Sequence, residues 1–331
     1  MWLWPIFCLE EKKKIYKVLI TRKIPENGLK KLKEISEIYL PEAGKETFSR
    51  EELLKYAPTL DAIIPVAGDR IDAKFINLAK NLKIISAYSV GYDNIDIKKA
   101  AEHNIPVTNL PDAVTESTAE LTFLIMLAVS RRLIECDNYV RYYNDQNWHP
   151  FLFTGNELYG KKLGIIGMGR IGKSVARRAI ASGMEIYYYD NDRLYDIEFE
   201  ASLVPFKKLI SSVDYISLHV PYTKKTHHMI GEFEFNLMKK NTYFVNASRG
   251  AIVDQKALIR ALQEKHIKGA ALEVYETEPQ VPEELTRLRN VVLTPHVGTN
   301  TVETNLKMAI EASNNIIQIF NGKKPTKIVN L

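Results

Sequence analysis

Residues Gly167-Met168-Gly169-Arg170-Ile171-Gly172 follow a short apolar run, Leu163–Ile166, and open a stretch of helical periodicity that continues through Ser182. This spacing constrains the fold more than any other feature of the chain, because a strand–turn–helix unit is what needs three glycines so placed. The first permits a tight turn, the second lets the backbone approach a pyrophosphate with no Cβ in the way, and the third lets helix and strand pack closely. The helix start offers unpaired N–H groups and the positive end of the helix dipole to phosphates. The next apolar run, Glu185–Tyr189, ends in Asp190. An acid at that distance hydrogen-bonds a ribose 2′-hydroxyl and repels a 2′-phosphate. The motif therefore predicts dinucleotide contacts at Gly167, Gly169, Arg170, Ile171, Gly172 and Asp190. NAD(H) is preferred. NADP(H) is the alternative, because Arg193 stands close enough to accept a 2′-phosphate.

The motif begins at residue 167 of 331, so a nucleotide domain sits mid-chain and the residues before it belong to another domain. From Tyr16, β-rich runs alternate with helical ones: Val18–Thr21, Ile38–Leu40, Ala62–Val66, Leu82–Ala87 and Val107–Asn109 read as strands. Ser49 and Glu52 form a capping box that opens a short helix. A helix is expected from Thr115 to Tyr142, apolar nearly all round in its first half and mixed in its second. A second series gives six strands: Leu163–Ile166, Glu185–Tyr189, Tyr215–Leu218, Tyr243–Asn246, Ala270–Leu272 and Val291–Leu293. A last helix, near Thr301–Phe320, ends at Asn321-Gly322. Strands separated by helices mean parallel sheets, so the expected class is α/β with two doubly wound domains. The expected division is 15–112 with 299–331 as one discontinuous domain, 113–298 as the nucleotide domain, and 1–14 as an extension.

Composition narrows the function classes. Hydrophobic residues make up 46% and charged residues 26%, which excludes a disordered chain. The net charge of +5, from 45 basic and 40 acidic residues, is too weak over this length to argue for nucleic acid. Cys8 and Cys136 read as reduced thiols of a cytoplasmic protein. No Cys/His spacing suggests a metal site. Met1–Leu9 lacks the flanks of a signal peptide, and no run is long enough to span a membrane.

Three ionisable residues follow strands of the central series. Arg249 lies just past Tyr243–Asn246, Glu278 lies in Tyr275-Glu276-Thr277-Glu278-Pro279, and His296 lies just past Val291–Leu293. In a doubly wound sheet the ligand crevice lies outside the carboxyl ends of the strands. Reduction of a 2-keto acid needs a cation for the carboxylate, an acid for the new alkoxide and a hydride donor. Arg249 suits the first role through a bidentate contact, and His296 suits the second. Glu278 would orient the imidazole, although Glu273 and Glu276 stand close by in the sequence.

These motifs together resemble the D-isomer-specific 2-hydroxyacid dehydrogenases. The resemblance runs from about Val18 to the C-terminus. Besides the glycine motif it rests on Ser89-Val90-Gly91-Tyr92-Asp93-Asn94-Ile95-Asp96, Asn246 to Gly250, Leu272 to Pro279 and Thr294 to Gly298. It implies a Rossmann NAD-binding domain inserted into a flavodoxin-like substrate domain, with Arg249, Glu278 and His296 as the catalytic trio. It implies substrate contacts from Ala67, Gly68, Val90 and Gly91 as well as Arg249 and His296. Further cofactor contacts are implied at His219, Val220, Pro221, Thr226, Ala247, Glu273 and Gly298, in addition to Arg249 and His296. It also implies a homodimer built on the helix from Thr115.

Two departures stand out. Position 273 is usually Asp in the family and is Glu here, one methylene longer against the nicotinamide. The loop Val66-Ala67-Gly68-Asp69-Arg70 does not resemble the arginine-bearing loop of 3-phosphoglycerate dehydrogenases, which points to a small unphosphorylated substrate. Gly91 to Asp96, Arg131-Arg132 and Trp148–Pro150 look most like glyoxylate/hydroxypyruvate reductases. There Trp148 either lines a partner subunit's pocket or packs at the domain junction. The alternatives are 3-phosphoglycerate dehydrogenase, D-lactate dehydrogenase and an NAD(H)-sensing corepressor. A chain that stops at Leu331 is expected to hold no regulatory domain.

Overall fold

The computed structural model describes residues 15–66, 68–143, 147–191 and 197–331. Ala67, Arg193, Cys8 and the extension 1–14 therefore lie outside the described residues. Two compact units emerge. One joins the described residues up to Val114 with Val302–Leu331, and the other is Thr115–Thr301.

The first unit is built on five parallel strands: β1 (Tyr16–Ile20), β2 (Ser36–Tyr39), β3 (Ala62–Ile64), β4 (Ile84–Ser86) and β5 (Val107–Thr108). Their order is β2-β1-β3-β4-β5, the flavodoxin-like winding, with its switch point between β1 and β3. Alternation along the strands loads both faces. Leu19, Ile63 and Ile85 enter one apolar cluster, while Val18, Ile20, Ile64 and Ile84 enter the other. Both faces are covered, as an all-parallel sheet requires. The Ser49–Glu52 capping box forms as read, at the start of Arg50–Tyr56. The final helix, Val302–Phe320, closes one face of this unit. Asn315 Nδ2 donates to Thr108 Oγ1 at 3.2 Å, and Ser86 Oγ donates to the Ala312 carbonyl at 3.1 Å.

The second unit carries β6 (Lys162–Ile166), β7 (Glu185–Tyr189), β8 (Ser202–Leu203), β9 (Tyr215–Leu218), β10 (Tyr243–Asn246), β11 (Gly269–Leu272) and β12 (Val291–Leu293). All are parallel, in the order β12-β11-β10-β9-β6-β7-β8. The sheet has seven strands rather than the expected six. The added strand, β8, is a two-residue edge strand with both residues exposed, too short to show a period. The register aligns the carboxyl ends. Ile166 pairs with Tyr189 and Leu218, Leu218 with Asn246, Asn246 with Leu272, and Leu272 with Leu293. Whatever follows these residues in the sequence therefore meets along one edge of the sheet.

The helix expected over Thr115–Tyr142 is two helices, Thr115–Ser130 and Leu133–Tyr142. The break is at Arg132, which adopts φ 53°, a left-handed conformation that ends a helix. Burial explains the division. The first helix buries nine residues, including Ile125, Met126 and Val129, while the second buries none. Among the described residues no helix is long and apolar enough to cross a membrane.

Candidate active site

The glycine loop lies at the sheet's switch point, between the ends of β6 and β9. Gly167 has φ +97°, and a Cβ there would come within 2.7 Å of the His219 carbonyl carbon. The loop therefore needs glycine both for its turn and for its approach to the β9 end. A Cβ on Gly172 would overlap the Gly167 carbonyl oxygen well inside contact distance. Gly169 differs, because a Cβ there would meet nothing within 4 Å. The protein's own packing leaves Gly169 open, at the N-cap of Arg170–Ala181. An open backbone cradle at a helix start fits a dinucleotide pyrophosphate. Asp190 reaches back across the loop, and its Oδ2 accepts from the Met168 N–H at 2.8 Å. The predicted ribose acid thus also ties the end of β7 to the glycine loop, a link that sequence spacing did not suggest.

Along the same edge, the trio comes from the loops after β10, β11 and β12. His296 Nδ1 and Glu278 Oε2 are 2.7 Å apart, with side chains 40% and 33% exposed. The other Glu278 oxygen accepts from the Tyr275 N–H at 2.9 Å, which fixes the carboxylate. Burial pushes the Glu278 carboxyl up. The bond to His296, the Tyr275 N–H and the Arg249 charge outweigh it and hold the group below the usual carboxylate range. His296 itself has φ 56°, which is uncommon for a residue with a side chain and is found mostly at functional sites. Its N–H donates to the Glu273 carbonyl at 3.0 Å. Arg249 precedes Gly250, whose missing Cβ would collide with the Tyr275 carbonyl. The arginine loop and the Glu278 loop can touch only because residue 250 is glycine. Arg249 Nη1 donates to the Ser248 carbonyl at 2.7 Å.

The geometry separates three carboxylates that sequence alone left side by side. Glu276 pairs with His228 at 2.8 Å and accepts from the Gln255 N–H. Glu273 is 2% exposed and accepts from the Thr294 hydroxyl and the Gly298 N–H. Burial pushes its carboxyl up, against the pull of those bonds. Only Glu278 reaches the imidazole of His296. A cavity of about 330 Å³ opens beside this pair, lined in part by Tyr275, Pro279, Val281 and Leu293. Among the described residues no three His, Cys, Asp or Glu side chains cluster to hold a metal.

Comparison with known proteins agrees with this arrangement. Residues 123–298 match the model of the D-isomer specific 2-hydroxyacid dehydrogenase NAD binding domain. Over 320 residues the chain is 47% identical to a glyoxylate reductase of Thermococcus litoralis, covering 95% of this chain and 96% of that one. The chain belongs to the D-isomer-specific 2-hydroxyacid dehydrogenase family. A crystal structure of a Thermus thermophilus protein superposes with a TM-score of 0.90 at 38% identity, over 95% of this chain and 99% of that one. An NADPH-dependent glyoxylate/hydroxypyruvate reductase of Sinorhizobium meliloti, solved with NADP and malonate, does so with a TM-score of 0.83 at 28% identity, over 95% and 96%.

The remaining positions expected for this dehydrogenase family are spread over both units. His219 follows β9, and its Nε2 lies 2.8 Å from Ser217 Oγ. Burial pushes its pKa down to about 4, so the ring is neutral at pH 7. Val220 is half-buried and Pro221 exposed. The buried Thr226 hydroxyl donates to the Pro221 carbonyl at 2.8 Å and so closes its own loop. Ala247 follows β10 and is half-buried, and Gly298 sits on the Glu273 carboxylate. In the other unit Gly68 is exposed with φ +94° after β3, and Val90 and Gly91 are half-buried after β4. Trp148 is 85% exposed.

Proposed function

We propose that this dehydrogenase reduces a small 2-keto acid to its D-2-hydroxy acid with NADH, as a glyoxylate/hydroxypyruvate reductase of the cytoplasm. The His296–Glu278 pair, level with an open glycine cradle on one sheet edge, carries the reading. When bound, the dinucleotide supplies the hydride that adds to the carbonyl carbon. His296 delivers a proton from Nε2 to the carbonyl oxygen as the C=O π pair moves onto it. Glu278 accepts from Nδ1 and offsets the imidazolium charge. Arg249 holds the substrate carboxylate as a fork, and the Gly68 and Val90–Gly91 loops complete its binding. Glu273, with both carboxylate oxygens on the histidine loop, supports His296 as well as facing the nicotinamide. The exposed Leu133, Ile134, Val140, Tyr142, Trp148 and Phe151 support a homodimer formed through this segment.

The test is NADH oxidation with glyoxylate, hydroxypyruvate, pyruvate and 3-phosphohydroxypyruvate. Glyoxylate and hydroxypyruvate are expected to give the highest kcat/KM. Dominance of pyruvate or of the phosphorylated acid would move the reading to D-lactate or 3-phosphoglycerate dehydrogenase. NAD binding without any turnover would favour a corepressor.

The Asp190 charge beside the glycine loop supports NAD(H) over NADP(H). Asp190→Asn keeps an acceptor for the Met168 N–H and removes the charge. The ratio of kcat/KM for NADPH to that for NADH is expected to rise roughly tenfold or more, the worth of one charged contact. An unchanged ratio would show that Asp190 does not select the cofactor.

A further inference from the structure

The switch point of the first unit lies between β1 and β3, where doubly wound sheets bind ligands. Two residues that follow these strands are locked together there. Arg22 forks onto Asp69, with Nε to Oδ2 at 3.0 Å and Nη2 to Oδ1 at 2.8 Å. The Asp69 carboxylate is 7% exposed, while the Arg22 side chain is 39% exposed. Thr47 Oγ1 lies 3.3 Å from Asp69 Oδ1, and Arg22 and Thr47 also pair through a backbone bridge. A bidentate pair around a buried carboxylate sets an angle as well as a distance. Removing one partner leaves the buried charge uncompensated.

Asp69 is also joined to the next loop. Its carbonyl accepts from Asn94 Nδ2 at 2.7 Å, and the Ile71 N–H donates to the Asn94 carbonyl at 2.9 Å. Asn94 closes the turn that carries Val90 and Gly91. That turn is held from its other side by Asn109 Nδ2, 2.8 Å from the Val90 carbonyl, and by Ser89 Oγ, 2.6 Å from the Gly91 carbonyl. Asp69 is thus the node of a brace, with its side chain tied to β1 and its main chain to the loop after β4. Gly68, at φ +94°, is the residue just before the node. Its loop has little else to hold it, since the Asp69 N–H to Val66 carbonyl bond spans only that one turn.

We propose that Arg22 and Asn94, acting through Asp69, are positioning residues that set the spacing between the Gly68 loop and the Val90–Gly91 loop, and so the affinity for the 2-keto acid. This rests on the reading of those loops as the substrate-binding backbone. Neither residue need touch the reacting atoms. Misplacement by about 1 Å far from the chemistry is enough to weaken a reaction substantially. The effect belongs in substrate KM, because hydride donor and proton donor both sit on the other unit.

The experiment uses the full chain with Arg22→Lys and Asn94→Ala, each checked for folding by its Tm. Lysine keeps the charge and loses the fork. Glyoxylate KM is expected to rise roughly tenfold in each, with kcat at saturation within about threefold of wild type and NADH KM unchanged. Amide exchange is expected to rise in 66–69 and 89–94 and to stay constant in 167–172. A merely structural pair would lower Tm and leave KM alone. Folded variants with wild-type KM and unchanged exchange in both loops would overturn the proposal. Should wild type not turn over glyoxylate at all, the proposed function falls, and the exchange measurement decides the brace by itself.

Discussion

Replacing His296 with alanine is expected to lower kcat for glyoxylate reduction by about 10²- to 10⁴-fold, the usual worth of a positioned general acid. NADH affinity should stay close to wild type, because the glycine cradle and Asp190 lie on β6 and β7 and not on the histidine loop. A kcat near wild type would remove His296 from the mechanism. Glu278→Gln is the finer probe. A glutamine oxygen can still accept from Nδ1 at the 2.7 Å position, but its neutral amide no longer offsets an imidazolium. The alkaline limb of the kcat–pH profile for reduction is expected to move to lower pH. In wild type the acid side works in the other direction. The Glu278 carboxyl is held below its ordinary value of 4.5, so its support for His296 is fully present above that value. It is lost only as pH falls through the depressed one. Wild type should therefore keep reducing activity down through the ordinary carboxylate range for as long as it stays folded.

The second large effect separates two glycines of one motif. Gly172→Ala places a Cβ against the Gly167 carbonyl and 3.2 Å from Ile165 Cγ2, both in the packed junction of helix and sheet. Helix propensity alone would favour alanine by about 1 kcal/mol. Overpacking a tight junction costs about 1–3 kcal/mol, and here one of the clashing atoms is backbone and cannot swing away. The clash wins, and Tm should fall by several degrees, at roughly 2–4 °C per kcal/mol for a unit of this size. Gly169→Ala meets nothing within 4 Å, so Tm should hold. Its new Cβ would occupy the space the pyrophosphate needs, and KM for NADH should rise roughly 10- to 100-fold, the worth of a charged hydrogen bond lost. If Gly169→Ala binds NADH normally, the cradle is not where the phosphates sit. If Gly172→Ala is as stable as wild type, the packing argument fails.

Much of the site was legible because its signals are local. The glycine motif depends on spacing within six residues and on the strand before it. Arg249 and His296 each stand immediately after an apolar run, and a parallel sheet delivers such positions to one edge whatever the connecting helices do. Other features depend on what a residue meets from far along the chain. Glu273, Glu276 and Glu278 are equivalent in sequence. They part company only because Thr294 and Gly298, His228, and His296 respectively lie opposite them. Gly250 looks like a turn glycine until the Tyr275 carbonyl is seen against it. The break at Arg132 carries no glycine or proline, and β8 is too short to have a pattern.

The sequence by itself determined the class of fold, the central place of the nucleotide unit, the family and the residue types available for hydride-transfer chemistry. Each of these follows from periodicity, spacing or the conformational freedom of glycine, all properties of neighbouring residues. Only the tertiary structure decided which carboxylate serves His296, why residue 250 has no side chain, and how Arg22, Asp69 and Asn94 are joined. Those are pairings across 18, 25 and 47 positions of chain. They arise where parallel strands of equal register end together, and distance along the sequence carries no information about them.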